Sequence, residues 1–396
     1  MAKWMEIRKG ADFQAISSRF QITPFTARLI RNKDIVGEKE IEEYLHGGLT
    51  DLHPASCMKG VPEASELLRR KIRQKASIRV IGDYDIDGVC ATYILLKGLE
   101  QAGAEVDTDI PDRKKDGYGL NMDLIRRAKE AGVDTIVTCD NGIAAPAEIA
   151  AAREMGMTVI VTDHHELQDM VPQADVIINP RQPDCPYPYK KLCGAAVAWK
   201  LVQQLWEDLG CSREMLYGDL LMFAAFATVG DVMDLTGENR ILVKEGLRQL
   251  QRTGHPGMSA LIEANELPRG RLSAWHIGFV LGPCINASGR LDTAKRALEL
   301  LNTTDPALAS ALAEKLKDLN DERKALTEKG VQEAVEQIEG SGLKDDRVLV
   351  VYLPDCHESL AGIIAGRIRE RYYRPVFILT KGEEAVKGSG RSIESY

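Results

Sequence analysis

From residue 76 onward, short apolar runs alternate with longer amphipathic ones, and this rhythm restricts the chain to few folds. Ile78–Gly82, Glu105–Ile110, Thr135–Thr138, Thr158–Thr162 and Asp175–Ile178 read as strands, with helices over Val89–Gln101, Asn121–Ala131 and Ala145–Glu154 between them. Strand–helix alternation at this spacing predicts an α/β fold with a doubly wound, mostly parallel sheet. Single cores seldom exceed roughly 250–300 residues, so a chain of 396 is expected to form at least two lobes.

The remaining segments fit that plan. Residues 1–75 read as helices and turns, and 76–240 as the parallel-sheet domain. Further helices are expected over Gly194–Leu209 and Glu214–Thr228. In the 241–340 connector, Leu308, Leu312, Leu316, Leu319, Leu326, Val331, Val335 and Ile338 recur at helical spacing with no proline after Pro306. This predicts one long helix joining two lobes rather than a coiled-coil dimer. Residues 341–396 begin a second α/β lobe, with strand Arg347–Leu353, helix Glu358–Tyr372 and strand Val376–Thr380.

Four polar clusters follow apolar runs. Asp83, Asp85 and Asp87 stand at every second residue after the first strand, a spacing that in extended chain points them to one side. Without a cation these charges would raise one another's pKa values. A solvated acidic turn is the other reading, but a calcium loop is disfavoured because no Glu closes the run. Asp140 precedes Asn141-Gly142 and by itself suits a turn. Asp163-His164-His165 follows the run Val159–Val161, and adjacent imidazoles serve one site only where a strand ends. Asp231 ends a long apolar stretch and by itself suits a solvated helix terminus. Open α/β sheets gather function beyond the carboxyl ends of their strands, and three different strands deliver these groups there. A mixed oxygen and nitrogen set suits Mn²⁺, with Mg²⁺ as the alternative. The number of groups exceeds what one ion needs, which implies two.

Composition narrows the setting. No apolar run approaches the roughly 20 residues of a membrane span, and Met1–Gly10 has no secretory core, so no membrane partner is expected. Eight cysteines contain no Cys-x-x-Cys pair, which favours reduced, buried thiols and a cytoplasmic location over a disulfide framework or zinc site. A net charge of −8 places any nucleic-acid path on local basic clusters. Three such clusters stand out. Arg113 is followed by Lys114, Lys115 and the Gly117-Tyr118-Gly119 turn; Arg290 follows Asn286–Gly289; Ser389 and Arg391 lie within Gly388–Ser392. Guanidinium groups beside exposed backbone amides bind phosphate, although any single such Arg also suits a surface ion pair.

Gly82–Thr92, Ile110–Leu120, Val137–Ile143, Val161–Glu166, Leu192–Lys200, Ala227–Leu235, Ile285–Asp292, His357–Arg367 and Gly388–Ser392 occur in one order along the chain. In this order they resemble the DHH phosphoesterase family, and within it the branch of single-strand-specific exonucleases. The resemblance implies a two-metal hydrolase of single-stranded DNA, acting 5′→3′ in repair and recombination, with a helicase and a single-strand-binding protein as candidate partners. It implies Asp85, Asp87, Asp140, His164 and Asp231 as metal ligands, with Asp140 bridging both ions and Asp83 as the extra acidic residue of this branch. His165 would face the scissile phosphate and Asp163 would orient the neighbouring histidine. Arg290, Ser389 and Arg391 would hold the DNA end and backbone on the second lobe, and Arg113 would guide the strand near the metals. His357 falls at a motif position without an assigned role, preceded by Cys356 where an aromatic is common. Many members carry histidine where Ile81 stands, which puts one metal position in question.

Two other readings stay open at this point: a DHH-type hydrolase of short oligonucleotides, cyclic dinucleotides or pyrophosphate, and a non-catalytic DNA-binding scaffold. The sequence stops directly after Gly388–Ser392, whereas members of this branch continue with a Gly-Gly-His segment and an OB-fold. The expectation is therefore an incomplete second lobe with two clear strands and an exposed edge, which binds metal but grips DNA weakly.

Overall fold

The computed structural model describes residues 6–113, 117, 119–382 and 385–394. The chain divides into two compact units. The first takes in the described residues up to Pro111, those from Gly117 to His255, and Pro268–Gly282. The second takes in Asp112 and Arg113, Pro256–Leu267 and the chain from Pro283.

The first unit opens with helices α1 (Phe13–Phe20), α2 (Pro24–Asn32), α3 (Glu38–His46) and α4 (Val61–Arg73). Strands β1 (Ser77–Ile81), β2 (Glu105–Asp109), β3 (Thr135–Cys139), β4 (Thr158–Thr162) and β5 (Val176–Ile178) form its sheet, in the order β2-β1-β3-β4-β5. Every pairing is parallel, with Ile81 opposite Thr138 and Cys139 opposite Thr162. All five β3 residues are buried, as a central parallel strand requires. Helices α5 (Ile86–Gln101), α6 (Met122–Glu130) and α7 (Pro146–Glu154) make the crossovers. Ile81, Leu124, Ile125, Ile136, Ile149 and Val159 share one buried cluster beneath α6 and α7. Order reverses between β1 and β3, so the switch point that attracts ligands lies above their carboxyl ends.

Helices α8 (Gly194–Leu209), α9 (Leu221–Gly230) and α10 (Gly237–Leu250) complete this side. The helix expected over Glu214–Thr228 is interrupted. Leu216–Leu220 forms a π turn, and Gly218 leaves helical geometry at φ −96° and ψ −105°. Glycine permits that departure at little steric cost, and periodicity alone could not reveal it. Lys200 and Glu238 form a buried ion pair of 3.0 Å. Lys200 also donates to the His53 carbonyl, while Glu238 accepts from the His53 amide and the Tyr187 hydroxyl. The N-terminal segment is thus tied to this unit.

The second unit contains α11 (Pro256–Ala264). After α12 (Ala274–His276), which belongs to the first unit, come α13 (Gly282–Leu291), α14 (Ala294–Asn302) and α15 (Pro306–Gly340). Asp305 caps α15 by accepting from the Ala307 amide, and Pro306 occupies its first position. The 35-residue α15 lies within this unit. Strand β6 (Leu349–Tyr352), helix α16 (Ala361–Tyr372) and strand β7 (Val376–Lys381) pack against its Ala334, Val335 and Ile338. The two-strand expectation is corrected: Val386–Arg391 forms a third strand, β8, antiparallel to β7. The sequence marks Gly388–Ser392 only as a phosphate-binding motif; in β8 Gly388 and Gly390 leave room for the Leu379 and Phe377 side chains, which approach to 2.5 and 2.7 Å of where their Cβ atoms would stand.

Among the described residues no helix is long and apolar enough to cross a membrane. The eight cysteines are unpaired, five are buried, and Cys57 is exposed.

Candidate metal centre

The Asp83–Asp87 run does not stay extended, which corrects the spacing argument. Asp83 lies in the loop after β1, Asp85 is the N-cap of α5, and Asp87 sits in its first turn. Asp85 Oδ1 accepts from the Asp87 and Gly88 amides at 2.9 and 3.0 Å. Asp87 reaches elsewhere: its carboxylate accepts from the amides of Gly194 and Ala195 at 2.6 and 2.8 Å. Asp87 thereby satisfies the first turn of α8, which has no side-chain cap of its own. This explains the Leu192–Lys200 motif, for which the sequence suggested no role.

Asp140 follows β3 directly and holds φ at +59°, a left-handed value that Asp tolerates better than most residues. A Cβ on Gly194 would stand 2.6 Å from Asp140 Cβ and 2.8 Å from its Oδ1, so position 194 must be glycine for Asp140 to keep its place. After β4, buried Asp163 accepts from the Ile143, His164 and His165 amides and lies 2.7 Å from His165 Nδ1. Asp231 is the C-cap of α9.

These elements converge. His164 Nε2 stands 3.1 Å from Asp140 Oδ1, 3.5 Å from Asp87 Oδ2 and 3.8 Å from Asp231 Oδ2. Asp83, Asp85 and Asp140 offer a second set of oxygens, all within 4.8 Å of one another. Asp140 belongs to that set and also approaches both histidines. Ile81 supplies no ligand atom, and Asp83 extends the oxygen set beyond its strand. Both Asp83 oxygens, Asp140 Oδ1 and His164 Nδ1 are buried without a well-formed hydrogen bond. Buried carboxylates left this way are costly unless a cation compensates them, so the donor set fits divalent metal.

Electrostatics agree. Burial, then the Asp85 charge, pushes Asp83 up to about 7. Burial and the charges of Asp87 and Asp85 lift Asp231 to about 7 and Asp140 well above the carboxylate range. Burial would raise Asp163 too, but the hydrogen bond and charge of His165 outweigh it and hold the carboxyl low. The same hydrogen bond raises His165, whereas burial lowers His164. Because an ionised carboxylate only accepts, His165 Nδ1 carries the shared proton and Nε2 remains for other chemistry. The His165 side chain is 44% exposed. It lines a cavity of about 520 Å³ together with Gly119, Asn141, Gly142, Ile143 and Glu166. That volume suits a small ligand.

The expected phosphate-binding groups lie mostly in the second unit. Arg290 is in helix α13, so its neighbouring amides serve the helix and do not form the exposed cradle expected. Its guanidinium donates to the Ser359 carbonyl at 2.9 Å, and Ser359 Oγ donates to the Arg290 carbonyl at 3.1 Å. His357 Nδ1 lies 2.7 Å from Ser359 Oγ. Ser359, which the motif reading passed over, therefore joins two predicted residues. Ser389 and Arg391 share one face of β8, and a Cβ at Gly362 would stand 3.0 and 2.9 Å from their Oγ and Nη2. They thus overlie the first turn of α16, whose amides favour anions. Lys387 on β8 pairs with Glu358 at 2.8 Å. Arg113 lies in the turn after β2. Lys114, Lys115 and Tyr118 fall outside the described residues.

A parallel sheet that gathers carboxylates and an Asp-His-His triplet at its switch point is matched by one family model. Residues 77–228 fit the DHH family, N-terminal domain. The single-stranded-DNA-specific exonuclease RecJ of Bacillus subtilis is 37% identical over the whole chain, which spans 50% of that relative. RecJ of Salmonella typhimurium is also 37% identical over the whole chain, which spans 70% of it. A crystal structure of exonuclease RecJ bound to manganese superposes with a TM-score of 0.76 at 37% identity, covering 85% of this chain and 83% of that one. The chain belongs to the RecJ family of DHH proteins. It spans about half the length of the Bacillus relative.

Proposed function

We propose that this chain is a metal-dependent exonuclease that hydrolyses phosphodiester bonds of single-stranded DNA, 5′→3′, in repair and recombination. The observation that carries this reading is the convergence of Asp83, Asp85, Asp87, Asp140, His164 and Asp231 with buried oxygens left uncompensated. Membership of a family whose named relatives are single-stranded-DNA-specific exonucleases supports it.

Asp83, Asp85 and Asp140 would hold one Mn²⁺ or Mg²⁺ ion, and Asp87, His164 and Asp231 a second, with Asp140 between them. Such paired ions, when bound, supply an activated water and charge neutralisation on the phosphate. The chain's own groups orient the rest. Asp163 holds the Nδ1 proton and favours the imidazolium form of His165, whose Nε2–H can donate a proton or hydrogen bond to the leaving oxygen. The cavity beside His165 receives the nucleotide being released. In the second unit Arg290, Ser389, Arg391 and the α16 amides bind strand phosphates, with His357 holding Ser359 in place. Arg113 adds a further phosphate contact. A helicase and a single-strand-binding protein are proposed partners because both present single strands.

The test is digestion of end-labelled single-stranded and duplex DNA with Mn²⁺, Mg²⁺ or chelator. Single strands should be shortened from the 5′ end with metal only. Hydrolysis of dinucleotides and short oligomers, with long strands untouched, would replace this reading by the small-substrate one.

A further inference from the structure

The stretch from Pro268 to Gly282 was absorbed by none of the site assignments. It carries Arg269, Arg271, Trp275, His276 and Phe279, and no Asp or Glu. Arg271 is exposed. The Ser273 amide donates to His276 Nδ1 at 3.1 Å and fixes the start of α12. The chain then passes into a π turn, Ile277–Leu281, whose Ile277 and Leu281 are buried. On its outer side Trp275 is 59% and Phe279 69% exposed. Their rings are stacked, with centroids 5.7 Å apart and planes 26° from parallel. Scattered exposed apolar residues are ordinary, but a paired aromatic surface on a segment that also carries exposed Arg271 and no acidic residue points to a ligand with flat faces and negative charge.

The inner side of this turn locates the platform. A Cβ on Gly278 would stand 3.9 Å from Val229 Cγ1, and one on Gly282 would stand 3.1 Å from Ile86 Cδ1. Ile86 separates Asp85 from Asp87, and Val229 lies two residues before Asp231. The π turn therefore packs directly on the two segments that carry four of the candidate ligands.

We infer that Trp275 and Phe279 form a stacking platform for the bases of a single strand, with exposed Arg271 facing its phosphates. Stacking is indifferent to base identity but requires an unpaired base, so the platform contributes strand selectivity without sequence selectivity. This inference rests on the exonuclease reading and adds a specificity surface to it.

The experiment compares the full chain with Trp275→Ala, Phe279→Ala, their double variant and Trp275→Tyr, using oligothymidylate and an abasic strand of equal length. The exposed positions leave the core intact. The double variant should raise KM for oligothymidylate by about 10-fold or more, with kcat little changed. Binding of the abasic strand should not differ between double variant and wild type, and Trp275→Tyr should restore most of the lost affinity. Equal KM values for wild type and double variant on oligothymidylate would overturn the platform alone. A wild-type chain that neither binds nor digests the strand would overturn the exonuclease reading and the platform together.

Discussion

Gly194, at the first position of α8, leaves only 2.6 Å between its absent Cβ and Asp140 Cβ. The amide of Gly194 is also bound by Asp87. One glycine thus sets the place of two candidate ligands from different strands. Gly194→Ala should displace Asp140, lower Mn²⁺ stoichiometry and cut hydrolysis at least ~100-fold while far-UV circular dichroism stays native. Calorimetric titration with Mn²⁺ checks this; near-normal binding and turnover would show that Asp140 can be repositioned freely.

His165 gains basicity from Asp163. If protonated His165 assists the leaving oxygen, activity is lost as pH rises through its pKa. Asp163→Asn removes the charge that raises that pKa, so the alkaline limb should move to lower pH and kcat should fall roughly 10²–10⁴-fold. Asp163 also accepts three backbone amides, so bound Mn²⁺ must be measured alongside. An unmoved alkaline limb would exclude His165 as the acid.

Metal removal has a signed pH dependence. In the metal-free fold Asp83 and Asp231 are raised to about 7 from an unfolded value of about 3.8, and Asp85 and Asp140 are also raised. A raised acid binds more protons folded than unfolded, so its contribution is complete below the unfolded pKa and disappears as pH climbs through the folded one. Chelated protein should therefore lose thermal stability at these sites between about pH 4 and 7. Mn²⁺ compensates the ionised form, and the increase in thermal midpoint that it gives should grow over this interval. A metal effect independent of pH would contradict the charge assignment.

Much of this was legible in the sequence. Strand β4 carries its predicted bounds Thr158–Thr162, and α8 its predicted Gly194–Leu209, because buried apolar runs bounded by turn residues leave little freedom. The convergence of Asp83, Asp85, Asp87, Asp140, His164 and Asp231 was legible because each cluster follows an apolar run. What was not legible depends on partners distant in sequence. Asp87 turns to α8 because it finds two amides about a hundred residues away, and no local pattern encodes that. Ser359 links Arg290 to His357 through contacts 69 residues apart. Strand β8 was hidden because Gly388-Ser389-Gly390 lacks the apolar alternation of a strand, while its glycines admit the Leu379 and Phe377 side chains of the neighbouring strand.

End recognition is a separate question. Arg290→Ala should weaken processing of 5′-phosphorylated strands by roughly 1.5–3 kcal/mol, about 10–150-fold, and leave Mn²⁺ binding unchanged. Comparing 5′-phosphate with 5′-hydroxyl ends checks it. Equal losses on both would assign Arg290 to holding Ser359 alone.

The ion pair of Lys200 and Glu238 is buried, with Lys200 0% and Glu238 2% exposed by side chain. Lys200→Met leaves Glu238 charged without its partner and should destabilise the fold by about 3–5 kcal/mol. Urea denaturation measures this, and a loss below about 1 kcal/mol would mean that the pair is dispensable.

The central claim is that Asp140 belongs to both metal positions. The direct measurement is Mn²⁺ bound per chain, together with single-strand hydrolysis, for wild type and Asp140→Ala. Wild type should bind two ions, and Asp140→Ala should lose both tight binding and hydrolysis while remaining folded. Near-normal hydrolysis by Asp140→Ala at saturating Mn²⁺ would contradict the account.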